Sequence, residues 1–100
     1  MPTQNNVTPM NSVHMEPMDK IAGFDVRPGM YELNGAVAIP VGVNFTIHSC
    51  GATSCELLLF RRMEDEPYAV LKFPDHYRIG DVYSMIVFGL HITEFEYAYR

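Results

Sequence analysis

The chain has no tryptophan, only two cysteines and few basic residues: 7 Lys and Arg stand against 12 Asp and Glu, a formal net charge of −5. That balance argues against a nucleic-acid partner, which needs a basic patch to release counterions. It argues equally against an anionic membrane surface. No apolar run approaches the roughly 20 residues of a membrane span. The amino terminus, Met-Pro-Thr-Gln-Asn-Asn, lacks the basic and apolar regions of a secretory signal. The expected setting is the cytoplasm, with no nucleic-acid and no membrane partner. No segment sustains a 3.6-residue apolar period, so no substantial helix is expected. There are no repeats.

The cysteine count limits the metal and redox chemistry. Structural zinc sites usually show two paired ligand clusters, and Cys50 with Cys55 supplies one pair. A metal there would have to recruit His48 and His76 or His91. A disulfide across the loop is geometrically feasible. The plainer expectation is two reduced thiols, at least one of them packed in the core. No cofactor and no metal are expected.

What is present is strand after strand. Val43, Phe45 and Ile47 alternate with Asn44, Thr46 and His48, the period of a strand with one buried face. Cys55 to Phe60 is apolar on both faces apart from Glu56, the pattern of a central strand covered on both sides. Small polar residues, Gly51 to Ser54, link the two. Phe24 and Val26 alternate with Asp25 and Arg27, before a turn at Arg27-Pro28-Gly29. Ala36 to Ile39 is a short strand ended by Pro40. Tyr68 to Phe73 places Ala69, Leu71 and Phe73 on one face. Asp81 to Phe88 does the same with Tyr83, Met85 and Val87. Glu94 to Arg100 alternates Phe95, Tyr97 and Tyr99 inward with Glu94, Glu96 and Ala98 outward. Glu64-Asp65-Glu66-Pro67 is an acidic turn, and Pro74 to Gly80 a loop.

Strand starts recur about every 10–14 residues, the rhythm of an immunoglobulin-like sandwich. The expectation is one all-β domain, an immunoglobulin-like β-sandwich of six to seven strands over residues 23–100. Residues 1–22, rich in Asn, Pro, Thr and Met, read as a flexible arm. The sandwich normally closes with a strand beside the penultimate one. Glu94 to Arg100 is the sixth strand counted from Ala36, so its partner is expected to lie past residue 100.

No constellation looks catalytic. Ser49 and Ser54 lie near His48, but no elbow motif surrounds either serine. The carboxylates Glu64, Asp65 and Glu66 share one turn rather than facing each other across a cleft. No glycine-rich loop precedes a helix to cradle phosphate. Aromatic residues are the remaining candidates, because exposed rings stack on sugar faces. Phe45, Phe73, Tyr83, Phe95, Tyr97 and Tyr99 fall on inward parities. Phe60, Tyr68, Tyr77 and Phe88 fall outward or in loops, as sugar platforms or contacts to another domain.

Several short motifs come in a familiar order: Gly35-Ala36, Gly42-Val43-Asn44-Phe45, Ser49, Ala52-Thr53 and Glu56-Leu57-Leu58-Leu59-Phe60. Gly80-Asp81-Val82-Tyr83, Gly89-Leu90 and Tyr97-Ala98-Tyr99-Arg100 continue it. From Arg27 to Arg100 the chain resembles the N-terminal β-sandwich of isoamylase- and pullulanase-type glycogen-debranching enzymes, a family-48 carbohydrate-binding module. The resemblance implies the same sandwich fold. It also implies a partner: an α-amylase-type (β/α)8 barrel downstream in the same polypeptide, which hydrolyses α-1,6 linkages in glycogen or amylopectin. The catalytic aspartate and glutamate of such enzymes belong to that barrel. Tyr83 stands where many relatives carry tryptophan, and their tryptophan platforms for α-glucan are absent. A packing role beside the barrel, with weak or no α-glucan binding, is therefore the expectation. The alternative is a free-standing immunoglobulin-like domain that binds protein.

Overall fold

The computed structural model describes residues 15–48 and 53–100. These form nine strands: β1 (Asp19–Ile21), β2 (Phe24–Pro28), β3 (Gly35–Ile39), β4 (Gly42–His48), β5 (Glu56–Phe60), β6 (Pro67–Lys72), β7 (Arg78–Ile79), β8 (Val82–Phe88) and β9 (Glu96–Tyr99). A 3-10 turn, Asp75–Tyr77, precedes β7. All strand pairs are antiparallel, in two sheets. The larger runs β1-β2-β8-β4-β3, and the smaller runs β6-β5-β9. Strand β8 pairs with β4 along its whole length, from Val82 opposite His48 to Phe88 opposite Gly42. Its other side is shared. Strand β2 takes Met85 to Val87 and β7 takes Val82 and Tyr83. The expected all-β sandwich is the observed fold, with nine strands rather than six or seven.

Period-two patterning explains the core. Val26, Val43, Phe45, Tyr83, Met85 and Val87 point from the larger sheet toward Leu57, Leu59, Leu71 and Phe73 of the smaller one, and all are fully buried. Each such side chain contributes roughly 1.5–3 kcal/mol by leaving water. Phe45 packs edge-on to Tyr97 at 5.5 Å between ring centroids, and Phe73 to Tyr83 at 5.6 Å.

Three sequence expectations need correction. The expected arm of residues 1–22 is too long, because Asp19–Ile21 is a strand hydrogen-bonded to β2. The hairpin turns at Ala22 and Gly23, both at positive φ, the two-residue turn whose twist matches its strands. Its signal was hidden because alanine, not asparagine or aspartate, precedes the glycine. Within the expected loop Pro74 to Gly80, Arg78 and Ile79 pair with β8. Finally, Asn44 and Thr46 do not face solvent. The connection from Gly29 to Asn34 crosses the outer face of β8 and β4 on its way to β3, and buries them with Ser84. Asn44 Oδ1 accepts from the Met30 N–H at 2.7 Å, while Asn44 Nδ2 donates to the Met30 carbonyl at 3.2 Å. Thr46 donates to the same carbonyl and sits 2.7 Å from the Ser84 hydroxyl.

Strand β9 has a partner, β5, with Leu59 opposite Tyr97 and Leu57 opposite Tyr99. Its far side is an open edge among the described residues.

Candidate functional site

Strand β5 is central in the smaller sheet, as its two-sided apolar pattern implied, but the expected cover on both sides is corrected: among the described residues only its inner face is covered. Leu57 and Leu59 face the core. Leu58, on the opposite face, is only 6% exposed between its register partners Val70 and Ala98. Those two neighbours are exposed, so no second layer of described chain lies over this face. Phe60 and Tyr68 occupy one end of it. A register shift at Leu59 and Phe60, with Tyr68 the extra residue on β6, sets Phe60 against Pro67. Phe60 is half-buried, Tyr68 is 38% exposed, and the Arg61 guanidinium lies 4.6 Å from the Tyr68 ring centre. At the other end Glu56 sits between Lys72 and Arg100, and Arg100 Nε donates to Glu56 Oε1 at 2.9 Å. The face is thus an aromatic and aliphatic patch with an ionic end. Arg62 donates from Nη1 to the Thr93 carbonyl at 2.8 Å, tying the β5–β6 turn to the segment before β9.

The four aromatic candidates do not converge. Phe60 and Tyr68 share this face. Phe88 ends β8 in the other sheet, half-buried. Tyr77 is fully buried and cannot offer a ring to a ligand. Its hydroxyl donates to Asp19 Oδ2 at 2.7 Å, its carbonyl accepts from the Tyr31 hydroxyl at 2.8 Å, and its ring meets His76 edge-on. Of the residues placed on inward parities, Tyr97 is the exception, at 41% exposed on an edge strand.

The Asp19 cluster is the electrostatic feature that sequence reasoning missed, because Asp19 was assigned to the arm. The hydrogen bond from Tyr77 holds the Asp19 carboxyl below its ordinary value, with His76 Nε2 3.3 Å from the same oxygen adding to the effect. Burial, and then the Asp19 contact, push the Tyr77 phenol up. A carboxylate with a lowered folded value stabilises the fold above its unfolded value of about 3.9, and that contribution is lost as pH falls through the folded value. In urea titrations, Asp19→Asn is therefore expected to lower the midpoint at pH 7. The gap to the parent should close on acidification from about pH 4 downward. A gap independent of pH would show that the carboxylate charge contributes nothing.

The histidines offered as metal ligands are dispersed. His48 ends β4 at one end of the sandwich. His91 lies by Val41 and Gly42 at the other, and His76 lies beside Asp19. Cys55 is buried, and burial with the neighbouring Glu56 charge pushes its thiol up. Cys50, and with it the pairing of the two cysteines, lies outside the described residues. Among the described residues no group of three His, Cys, Asp or Glu side chains is placed to hold a metal ion, and no helix is long and apolar enough to cross a membrane. A pocket of about 340 Å³ opens where the β3–β4 turn meets the β8–β9 connection, lined by Ala38, Ile39, Val41, Leu90, His91 and Ile92. No protein-family model matches the chain, and no curated protein is detectably similar to it.

Proposed function

We propose that this chain is the non-catalytic N-terminal carbohydrate-binding-type module of a cytoplasmic glycoside hydrolase that debranches glycogen or starch, cutting α-1,6-glucosidic bonds through a downstream barrel. The observation that carries the proposal is the bare outer face of the smaller sheet. Phe60, Tyr68, Val70 and Ala98 form a patch flanked by ions, on the same β5 that bears the Glu56–Phe60 motif of the resemblance. Such a patch suits packing against another domain more than gripping a sugar. Tyr68 already has Arg61 over its ring, and among the described residues no second exposed ring stands beside it to stack a neighbouring glucose.

The test has two arms. The chain alone is expected to release no reducing sugar from pullulan or glycogen and to migrate unretarded in glycogen-containing gels. Mixed with a debranching-type barrel stripped of its own sandwich module, it is expected to form a 1:1 complex that Val70→Glu or Tyr68→Glu abolishes. Turnover by the chain alone, or a complex indifferent to both substitutions, would overturn the proposal.

A further inference from the structure

We propose that the free edge of β9, together with the inner face of β3, forms a docking groove for one extended segment of a separate protein, in which apolar and basic side chains alternate. The backbone is set for it. Glu56 and Arg100 exchange both N–H···O=C bonds, at 2.9 Å each. In an antiparallel ladder such pairs alternate with pairs whose backbone groups point away. Ala98 and Glu96 therefore bond toward β5, while the N–H and C=O groups of Tyr97 and Tyr99 point outward. Neither residue's backbone has a hydrogen-bond partner on that side among the described residues. An added antiparallel strand would find two donors and two acceptors in register.

The groove also has a floor. The Tyr97 ring packs edge-on to Phe45 of β4, so β9 lies over β4. The next strand of the larger sheet, β3, has no strand of the smaller sheet above it. Ala36 and Ala38 stand opposite the fully buried Phe45 and Val43, so they point inward, yet Ala38 is exposed. A ledge of small side chains one strand wide runs beside β9, walled by the half-open Tyr97 ring. At the Glu96 end it runs into the pocket of about 340 Å³, which shares Ala38 with the ledge and has room for one large aliphatic side chain.

The overhang of β3 selects the occupant. A second copy joined β9 to β9 would bring its own larger sheet into β3, whereas a lone strand fits over the ledge. Charge selects its composition. Glu94 and Glu96 are exposed at the edge and neither is in an ion pair among the described residues. Apolar side chains would face Ala36, Ala38 and Tyr97, and basic ones would face Glu94 and Glu96. The groove adjoins the Phe60–Tyr68 patch, since Glu96 is the register partner of Phe60, but its floor is the inner face of β3 and its assay contains no barrel, so this inference and the barrel-packing function are tested separately.

The test uses the whole chain and a labelled synthetic peptide alternating valine and lysine, with a valine–glutamate peptide as control. Fluorescence anisotropy is expected to show saturable binding, at least about tenfold tighter for the lysine peptide. Amide exchange at Tyr97 and Tyr99 should slow on binding. Glu96→Lys should erase the preference for lysine, and Ala38→Glu, at an exposed site, should weaken binding of an apolar-rich valine–threonine peptide. Three results would each overturn the proposal. They are no saturable binding of the lysine peptide, binding that leaves Tyr97 and Tyr99 exchange unchanged, or a peptide-free dimer that already protects those two amides.

Discussion

Gly42→Ala is expected to lower the thermal midpoint by roughly 10–20 °C, from a loss of about 3 kcal/mol in a domain of this size. Gly42 opens β4, is buried, and pairs with Ile39 on one side and Phe88 on the other. A Cβ there would run into the Val87 carbonyl oxygen and come within 2.9 Å of the Phe88 Cα. Both obstacles are backbone of β8, the strand that holds the larger sheet together, so neither can swing away as a side-chain tip would. Relief requires prying β4 from β8 where Val43 and Val87 enter the core. Circular dichroism melts of parent and variant check this. A midpoint within about 3 °C of the parent would mean that the β4–β8 ladder yields far more easily than close packing allows.

Asn44→Ala is expected to cost about 2–3 kcal/mol, although it removes no apolar surface from the core. The substitution strips the Met30 N–H of its acceptor and the Met30 and Leu33 carbonyls of a donor, around a side chain that is itself fully buried. Asn44→Asp separates the two halves of that role. It keeps an acceptor for the Met30 N–H but turns charged oxygen toward two carbonyls. Its carboxyl is expected to titrate above the ordinary value. The sign follows. A raised folded value stabilises below the unfolded one and is lost as pH rises, so Asn44→Asp should sit closer to the parent at pH 4 than at pH 7. Chemical denaturation at the two pH values checks both variants. An aspartate variant equally stable at both would show that the crossing segment opens to water.

Most of the core was legible from parity alone. Alternation in Gly42–His48, Val82–Phe88 and Pro67–Lys72 assigned Phe45, Tyr83, Met85 and Leu71 correctly, because a strand has only two faces and one must leave water. Parity failed where a third layer intrudes. Asn44, Thr46 and Ser84 are polar, so they read as solvent-facing. In fact they line the path of the Gly29–Asn34 crossing and satisfy its backbone. The clue was Gly29, whose Cβ would collide with Ser84 and Asn44. A glycine after proline reads first as a turn, and nothing local distinguishes a turn from a close crossing. Parity also says which way Tyr97 points, not how far the opposite sheet extends beneath it. Its exposure follows from strand count, which depends on pairings across the whole chain. Among the candidate aromatics, strand position places Phe60 and Tyr68 at one end of the outer face of the smaller sheet. Tyr77 defies the loop reading because its ring packs into the core cluster and its hydroxyl bonds Asp19, a partner far away in sequence.

The central place of β8 sets the order in which this chain acquires its structure. Before Val82 is made, the pairings available are the hairpins β1–β2, β3–β4 and β5–β6. Isolated hairpins are marginal in water. Strand β8 slots between β2 and β4 and brings Tyr83, Met85 and Val87 to the interior in one step. Folding on the ribosome is thus deferred until the last fifth of these residues has emerged, and the nascent chain waits with its apolar strand faces open. For that interval its open strand faces favour association, and the acidic turn at Glu64–Glu66 and the charges that punctuate its strands oppose it.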